Sequence, residues 1–178
     1  MNGPRQCWLT NETGRLKFRE ILSSQLISMM FCPDDLWVVS PWTTDFDLLD
    51  NRTGNWNVLE SKWGFRFVRF SEVLIKLLES GSRLRLVTLD RRMDEGTKVL
   101  INKLKVAIND PRVFQHVLTD DIHIKGVLST HFWLKGSMNS TYSGAYKNDE
   151  ALDFIADGSQ IIEGRLNFEQ TYGVFDAN

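Results

Sequence analysis

Ile122 to Glu150 reads IHIKGVLSTHFWLKGSMNSTYSGAYKNDE, and it holds the dense run of phosphate-type chemistry in this chain. His123 and Lys125 are two apart, and residues i and i+2 of an extended strand project to the same face. Ser137 and Asn139 repeat that relation. Ser129, Thr130 and His131 interrupt two runs of strand character, Ile122 to Leu128 and Phe132 to Ser137. A tight hairpin is therefore expected to fold the second pair back beside the first. An imidazole can attack phosphorus, an ammonium can neutralise phosphoryl oxygens, and a hydroxyl with an amide can hold those oxygens in fixed geometry. Glu150 is the expected orienter of the His123 imidazole, because a carboxylate that takes the proton of one ring nitrogen leaves the other free to attack. His123, Lys125 and Glu150 are thus the candidate catalytic residues, with Ser137 and Asn139 as candidate substrate-binding residues.

Outward from this segment the chain alternates helices and strands. Leu16 to Met30 carries apolar residues at Leu16, Ile21, Leu22, Leu26 and Ile27, the spacing of an amphipathic helix, and Pro33 and Asp34 end it. Leu36 to Val39 reads as a buried strand running into Ser40-Pro41-Trp42. The polar stretch Asp45 to Gly64 reads as a mobile loop or insertion. Ser71 to Leu78 is a second helix, with Ser71 as candidate N-cap and Gly81 just past its end. Arg83 to Leu89 reads as a strand, Thr97 to Ile108 as a third helix and Val113 to Leu118 as a strand. Beyond the hairpin, Ala151 to Ile155 is a strand and Ser159 to Tyr172 a closing helix. Such alternation predicts an α/β layered fold in which a largely buried mixed β-sheet is flanked by helices.

At 178 residues the chain is long enough for one domain with a full core, and a single domain over 1–178 is expected. The hydrophobic fraction of 42% and charged fraction of 25% are those of an ordinary globule. A net charge of -2 supplies no global basic field, so any attraction to nucleic acid must come from a local cleft. Arg83, Arg85, Arg91 and Arg92 form the one local basic cluster of note, a pattern more often a solvated face than a binding site. No apolar run approaches bilayer length and the start of the chain lacks a secretion-signal pattern, so a cytoplasmic protein without membrane contact is expected. Cys7 and Cys32 read as ordinary packing or surface thiols. His116 and His131 read as structural residues, the latter at the hairpin turn.

The ordered set resembles the signature of the phospholipase D superfamily: His-x-Lys, four residues and an Asp, then Gly-Ser-x-Asn and a downstream Asn-x-Glu. The match runs through His123, Lys125, Gly136, Ser137, Asn139, Ser143, Gly144, Asn148 and Glu150. Thr130 stands where the family carries Asp, and the gap from it to Gly136 is one residue shorter than usual. The Ser40-Pro41 turn is similar to one that often follows an early strand in this family. The resemblance implies a phospholipase D-like layered fold and a phosphodiesterase that needs no metal or cofactor. In that chemistry one His forms a phosphohistidine, while a second, from another copy of the motif, protonates the leaving group and then activates water. The chain has 3 histidines and no second His-x-Lys. A two-fold homodimer, which presents the same patch twice across its axis, is the expected way to supply both.

The resemblance leaves three classes of function. A nuclease acting on DNA or RNA is the expected one. A lipid phosphodiesterase is disfavoured by the lack of membrane-directed features. A binding or scaffolding component with weakened chemistry is kept open by Thr130. Compact phospholipase D-like proteins also occur in bacterial defence and DNA-modification systems, which adds protein partners from such a system to the expected nucleic acid and second copy.

Overall fold

The structure is a computed structural model of the chain and describes residues 4–90 and 93–175. The elements run β1 (Arg5–Trp8), α1 (Glu12–Phe31), β2 (Asp35–Val39), β3 (Asp47–Asp50), β4 (Phe67–Arg69), α2 (Phe70–Glu79) and β5 (Arg83–Leu89). They continue with α3 (Glu95–Ala107), β6 (Phe114–Thr119), β7 (Lys125–Leu128), β8 (Trp133–Gly136), α4 (Tyr142–Tyr146), β9 (Ala151–Ile155) and α5 (Gly158–Tyr172). Seven strands form one mixed sheet in the order β1-β9-β8-β7-β2-β5-β6. Strands β2, β5 and β6 are parallel neighbours, and the remaining pairings are antiparallel.

Each buried strand sorts its side chains by the two-residue period. On β2, Leu36 and Val38 join the larger core while Trp37 and Val39 join the smaller one; on β5, Leu84 and Leu86 part from Val87 in the same way. The larger core takes in Leu22 and Leu26 of α1, Val73 and Leu77 of α2, and Leu100 and Leu104 of α3. The smaller core is closed by Ile161 and Phe168 of α5, whose ring meets Trp133 edge to face at 6.0 Å. The molecule is thus a sheet between two helical layers. No helix among the described residues is long and apolar enough to cross a membrane.

Helix termini follow local chemistry. Asn11, Asp94 and Asp157 each accept a backbone N–H from the first turn of α1, α3 and α5. Ser71 is not the cap of α2: Arg69 occupies that place, and Glu72 reaches back to its backbone N–H at 3.0 Å. Ser71 lies inside the first turn and donates to Asp45 at 2.8 Å. Gly81, at φ +105°, lets the chain turn out of α2 into β5.

The stretch Asp45 to Gly64, expected to be a loose loop, is ordered instead. Strands β3 and β4 pair antiparallel, and two short 3-10 turns, Asn55–Val58 and Ser61–Trp63, fill the span between them. Its organiser is Asn51, wholly buried. The Asn51 amide donates to Asn57 Oδ1 at 2.8 Å and to the Gly64 carbonyl at 2.7 Å, and accepts from the Trp56 N–H at 2.8 Å. Polar composition signals solvent exposure on average, but here one polar side chain satisfies the backbone groups of a compact excursion.

Arg83 and Arg85 of the expected basic cluster serve the scaffold. Arg83 pairs with Asp35 at 2.6 Å, and Arg85 is buried, donating to the Tyr172 carbonyl at 2.8 Å and to Gln115. Arg91 and Arg92 lie outside the described residues.

Candidate active site

The carboxyl ends of β2, β5, β6 and β8 and the amino ends of β7 and β9 share one edge of the sheet. In open α/β sheets this is the edge where connections, freed from the ladder, can present functional groups. Residues after β6, after β8 and before β9 all reach it, and these are the residues of the sequence motif. The expected hairpin is present: Lys125 faces Gly136 and Leu128 faces Trp133. A Cβ on Gly136 would run into the Ala151 carbonyl oxygen, so close approach of β8 to β9 explains that glycine.

Lys125 opens β7, and its ammonium donates to the Ser137 carbonyl at 3.1 Å. Ser137 hydroxyl donates to the Glu150 carboxylate, Asn148 Nδ2 donates to the other Glu150 oxygen at 3.3 Å, and the Ala151 N–H donates to Ser137 Oγ at 3.1 Å. Lys125, Ser137, Asn148 and Glu150 therefore form one connected polar cluster. Asn139 lies beyond β8 on the connection to α4. Its Oδ1 is buried and makes no hydrogen bond among the described residues, which leaves capacity for a group from outside. The neighbouring Ser140 donates its N–H to Ser40 Oγ at 3.0 Å, and its carbonyl accepts the Thr44 N–H at 2.9 Å. The Ser-Pro turn after β2 thereby anchors this connection.

His123 departs from its expected setting. Strand β7 begins at Lys125, so His123 sits on the β6–β7 connection with its side chain 87% exposed. The carboxylate that meets it is Asp121, whose Oδ2 lies 2.7 Å from Nε2, and not Glu150. The physical reason is that Glu150, nearly buried, is held by Ser137 and Asn148. No hydrogen bond or ion pair within the chain links His123 to Lys125, Ser137, Asn139 or Glu150. Asp121 shares the two-residue spacing with His123, but it lies upstream of the motif and nothing in the motif's pattern marks it. Thr119 Oγ1 fixes this turn, donating to the Asp121 carbonyl at 3.1 Å.

Thr130, in the place of the expected Asp, is at the far end of β7. Its N–H and hydroxyl donate to Asp34 Oδ2 at 2.8 and 2.6 Å. A carboxylate is present there after all, from a residue distant in sequence. His116 donates or accepts through Nε2 with Thr88 Oγ1 at 2.9 Å, and burial, then Lys105, lowers its pKa from 6.5 to about 4. This is the structural role expected for it. His131 is exposed at the hairpin turn. Among the described residues, no three His, Cys, Asp or Glu side chains gather in a way that could hold a metal ion.

No family model matches the chain, and no curated protein matches it by sequence. Solved structures do. Nuc, a phospholipase D family member from Salmonella typhimurium, superposes with a TM-score of 0.62 at 11% identity, over 96% of this chain and 93% of that one. The chain has a phospholipase D-like fold. NucT from Helicobacter pylori shares that fold with a TM-score of 0.57 at 11% identity, over 94% of this chain and 95% of that one. TrmBL2, an archaeal chromatin protein described with a novel mode of DNA binding, matches 94% of this chain and 51% of its own, with a TM-score of 0.52 at 9% identity. At such identities the likeness is one of phospholipase D-like architecture, and what the site does rests on the chain's own residues.

Proposed function

We propose that the protein is a metal-independent phosphodiesterase that cleaves nucleic acid through a phosphohistidine, in an active site shared by two copies of the chain. The observation that carries this reading is an exposed imidazole held by a carboxylate, two residues from a lysine whose ammonium is positioned by a backbone carbonyl. With Asp121 accepting the Nε2 proton, the lone pair resides on Nδ1. Nδ1 attacks phosphorus, the P–N bond forms and the P–O bond to the leaving group breaks. The His123 imidazolium of the second copy gives its proton to the departing oxygen. Water then attacks phosphorus, yielding a proton to that same imidazole as the P–N bond breaks, so both rings end as they began. Lys125 offsets charge on the phosphoryl oxygens, and Asn139 and Ser137 supply positioned polar groups.

A second reading is favoured by the engagement of Glu150 with Ser137 and Asn148: the domain binds phosphodiesters without turning them over. One experiment separates the two. The protein and its His123→Ala variant are incubated with single- and double-stranded DNA, RNA and bis(p-nitrophenyl) phosphate in excess EDTA. Cleavage by wild type, reduced at least about a thousandfold in the variant, is the expected result. Binding without cleavage by either protein would establish the second reading, and equal cleavage by both would overturn the phosphohistidine.

A further inference from the structure

Helix α4 connects Asn139 to Asn148 and Glu150, and it carries a pair of aromatic rings at the same edge of the sheet. Tyr142 and Tyr146 stack with centroids 5.0 Å apart and planes 15° from parallel. The lower ring is fixed: Tyr146 donates its hydroxyl to the Asp47 carbonyl at 2.6 Å, and the buried Arg19 guanidinium lies 4.2 Å from its centroid. Tyr142 is 47% exposed, yet its backbone N–H is tied to Thr44 Oγ1 at 3.0 Å. Lys147 Nζ lies 5.3 Å from the Tyr142 centroid. The helix is locked onto the motif, since a Cβ on Gly144 would strike the Asn139 carbonyl oxygen. Arg15 holds its far end, donating to the carbonyls of Lys147 and Asn148 at 3.1 and 3.4 Å and pairing with Asp149.

We propose that Tyr142 is a stacking platform for an unpaired base and that Lys147 takes an adjacent phosphate, so that the substrate of the site is single-stranded nucleic acid. The proposal rests on the nucleic-acid reading above and narrows it. An exposed ring that is already ordered loses little freedom when a base settles on it, and every base offers a π-face. The bases of a duplex are stacked on one another and present no such face. Charge suits the same ligand: the Lys147 ammonium, 5.3 Å from the ring centroid, swings to the phosphate as the base takes its place on the open face, and Asp149 of the same turn is paired with Arg15. Asn139 lies on the connection that leads directly into this helix.

Fluorescence anisotropy with a labelled short oligothymidylate, in EDTA and on the full chain, tests this without relying on cleavage. Tyr142→Ala is expected to weaken binding about 5- to 100-fold, Tyr142→Phe to keep it and Tyr142→Leu to behave like Tyr142→Ala. Lys147→Ala is expected to reduce the slope of log affinity against log salt by about one. An oligonucleotide of the same length without bases, and the matching duplex, are expected to be insensitive to Tyr142→Ala. Circular dichroism of each variant checks the fold. Failure of wild type to bind the single strand, unchanged binding by Tyr142→Ala, or an equal loss on the duplex would overturn the platform. Should Tyr142→Ala behave as expected while the wild type cleaves no substrate, the platform stands and the phosphodiesterase reading falls.

Discussion

At the scale of single residues, the decisive contact is the 2.7 Å approach of Asp121 to His123. Both side chains are largely exposed, so the pair adds less than about 1 kcal/mol to stability. Its consequence is chemical, because the partner of one ring nitrogen decides which nitrogen is free. Asp121→Asn is therefore expected to lower kcat about tenfold or more with little change in KM or thermal midpoint. Glu150→Gln, which disturbs the Ser137 and Asn148 cluster, is expected to act on KM as well. The independent readout is the 15N spectrum of the His123 ring, whose tautomer ratio should change in Asp121→Asn and not in Glu150→Gln. An unchanged ratio in Asp121→Asn would remove Asp121 from the site.

At the scale of elements, a buried Asn51 and a half-buried His116 give opposite lessons. Asn51 organises the β3–β4 excursion through three hydrogen bonds. Asn51→Ala would leave a backbone donor and acceptor unpaired in a buried place, at a cost on the order of 3 kcal/mol. Hydrogen exchange should show faster opening of residues 51–64 with the central sheet still protected. His116 bridges β6 to β5 through Thr88, and its folded pKa of about 4 lies below the 6.5 of the free side chain. Between those two values the unfolded chain takes up a proton that the folded chain refuses, so the stability His116 supports is present above about pH 6.5 and is lost as pH falls towards 4. His116→Gln keeps a hydrogen-bonding group without the titration. Urea midpoints should consequently fall less between pH 7 and pH 4.5 in the variant than in the wild type, and equal falls would exclude His116 as a source of acid lability.

At the scale of the whole molecule, one chain offers one imidazole in the motif, and that imidazole faces solvent. In-line transfer requires attacking and leaving atoms about 180° apart across phosphorus. In the proposed mechanism a second copy related by a two-fold axis would meet this need with the same patch. Mixed dimers of wild-type and His123→Ala chains, isolated by two affinity tags, are expected to fall towards the inactive homodimer and not to half activity, because the shared site would keep one nucleophile and lose its acid. Half activity, or a monomer that cleaves at full rate, would show that each chain acts alone.

The alternation of apolar runs made the layered sheet readable along the chain, because burial on both faces of β2 demands the continuous apolar run Leu36 to Val39 and the period of α1 to α3 demands one covering layer. The motif residues were readable for a related reason: fixed spacing on a hairpin places side chains in known directions, and Lys125, Ser137 and Glu150 do meet. Strand β1 and helix α4 were not readable, since a four-residue edge strand and a five-residue helix carry too few periods to signal. Contacts across long sequence separations were equally hidden. Asp34 reaches Thr130 across 96 residues and supplies from elsewhere the carboxylate whose absence at position 130 looked like a defect. Glu150 turned to Ser137, and Asp121 to His123, because each acceptor took the donor its own backbone brought within reach. Local spacing along a strand is set by covalent geometry, whereas the choice among several acceptors for one donor is made when the sheet edge closes and burial fixes which groups must pair.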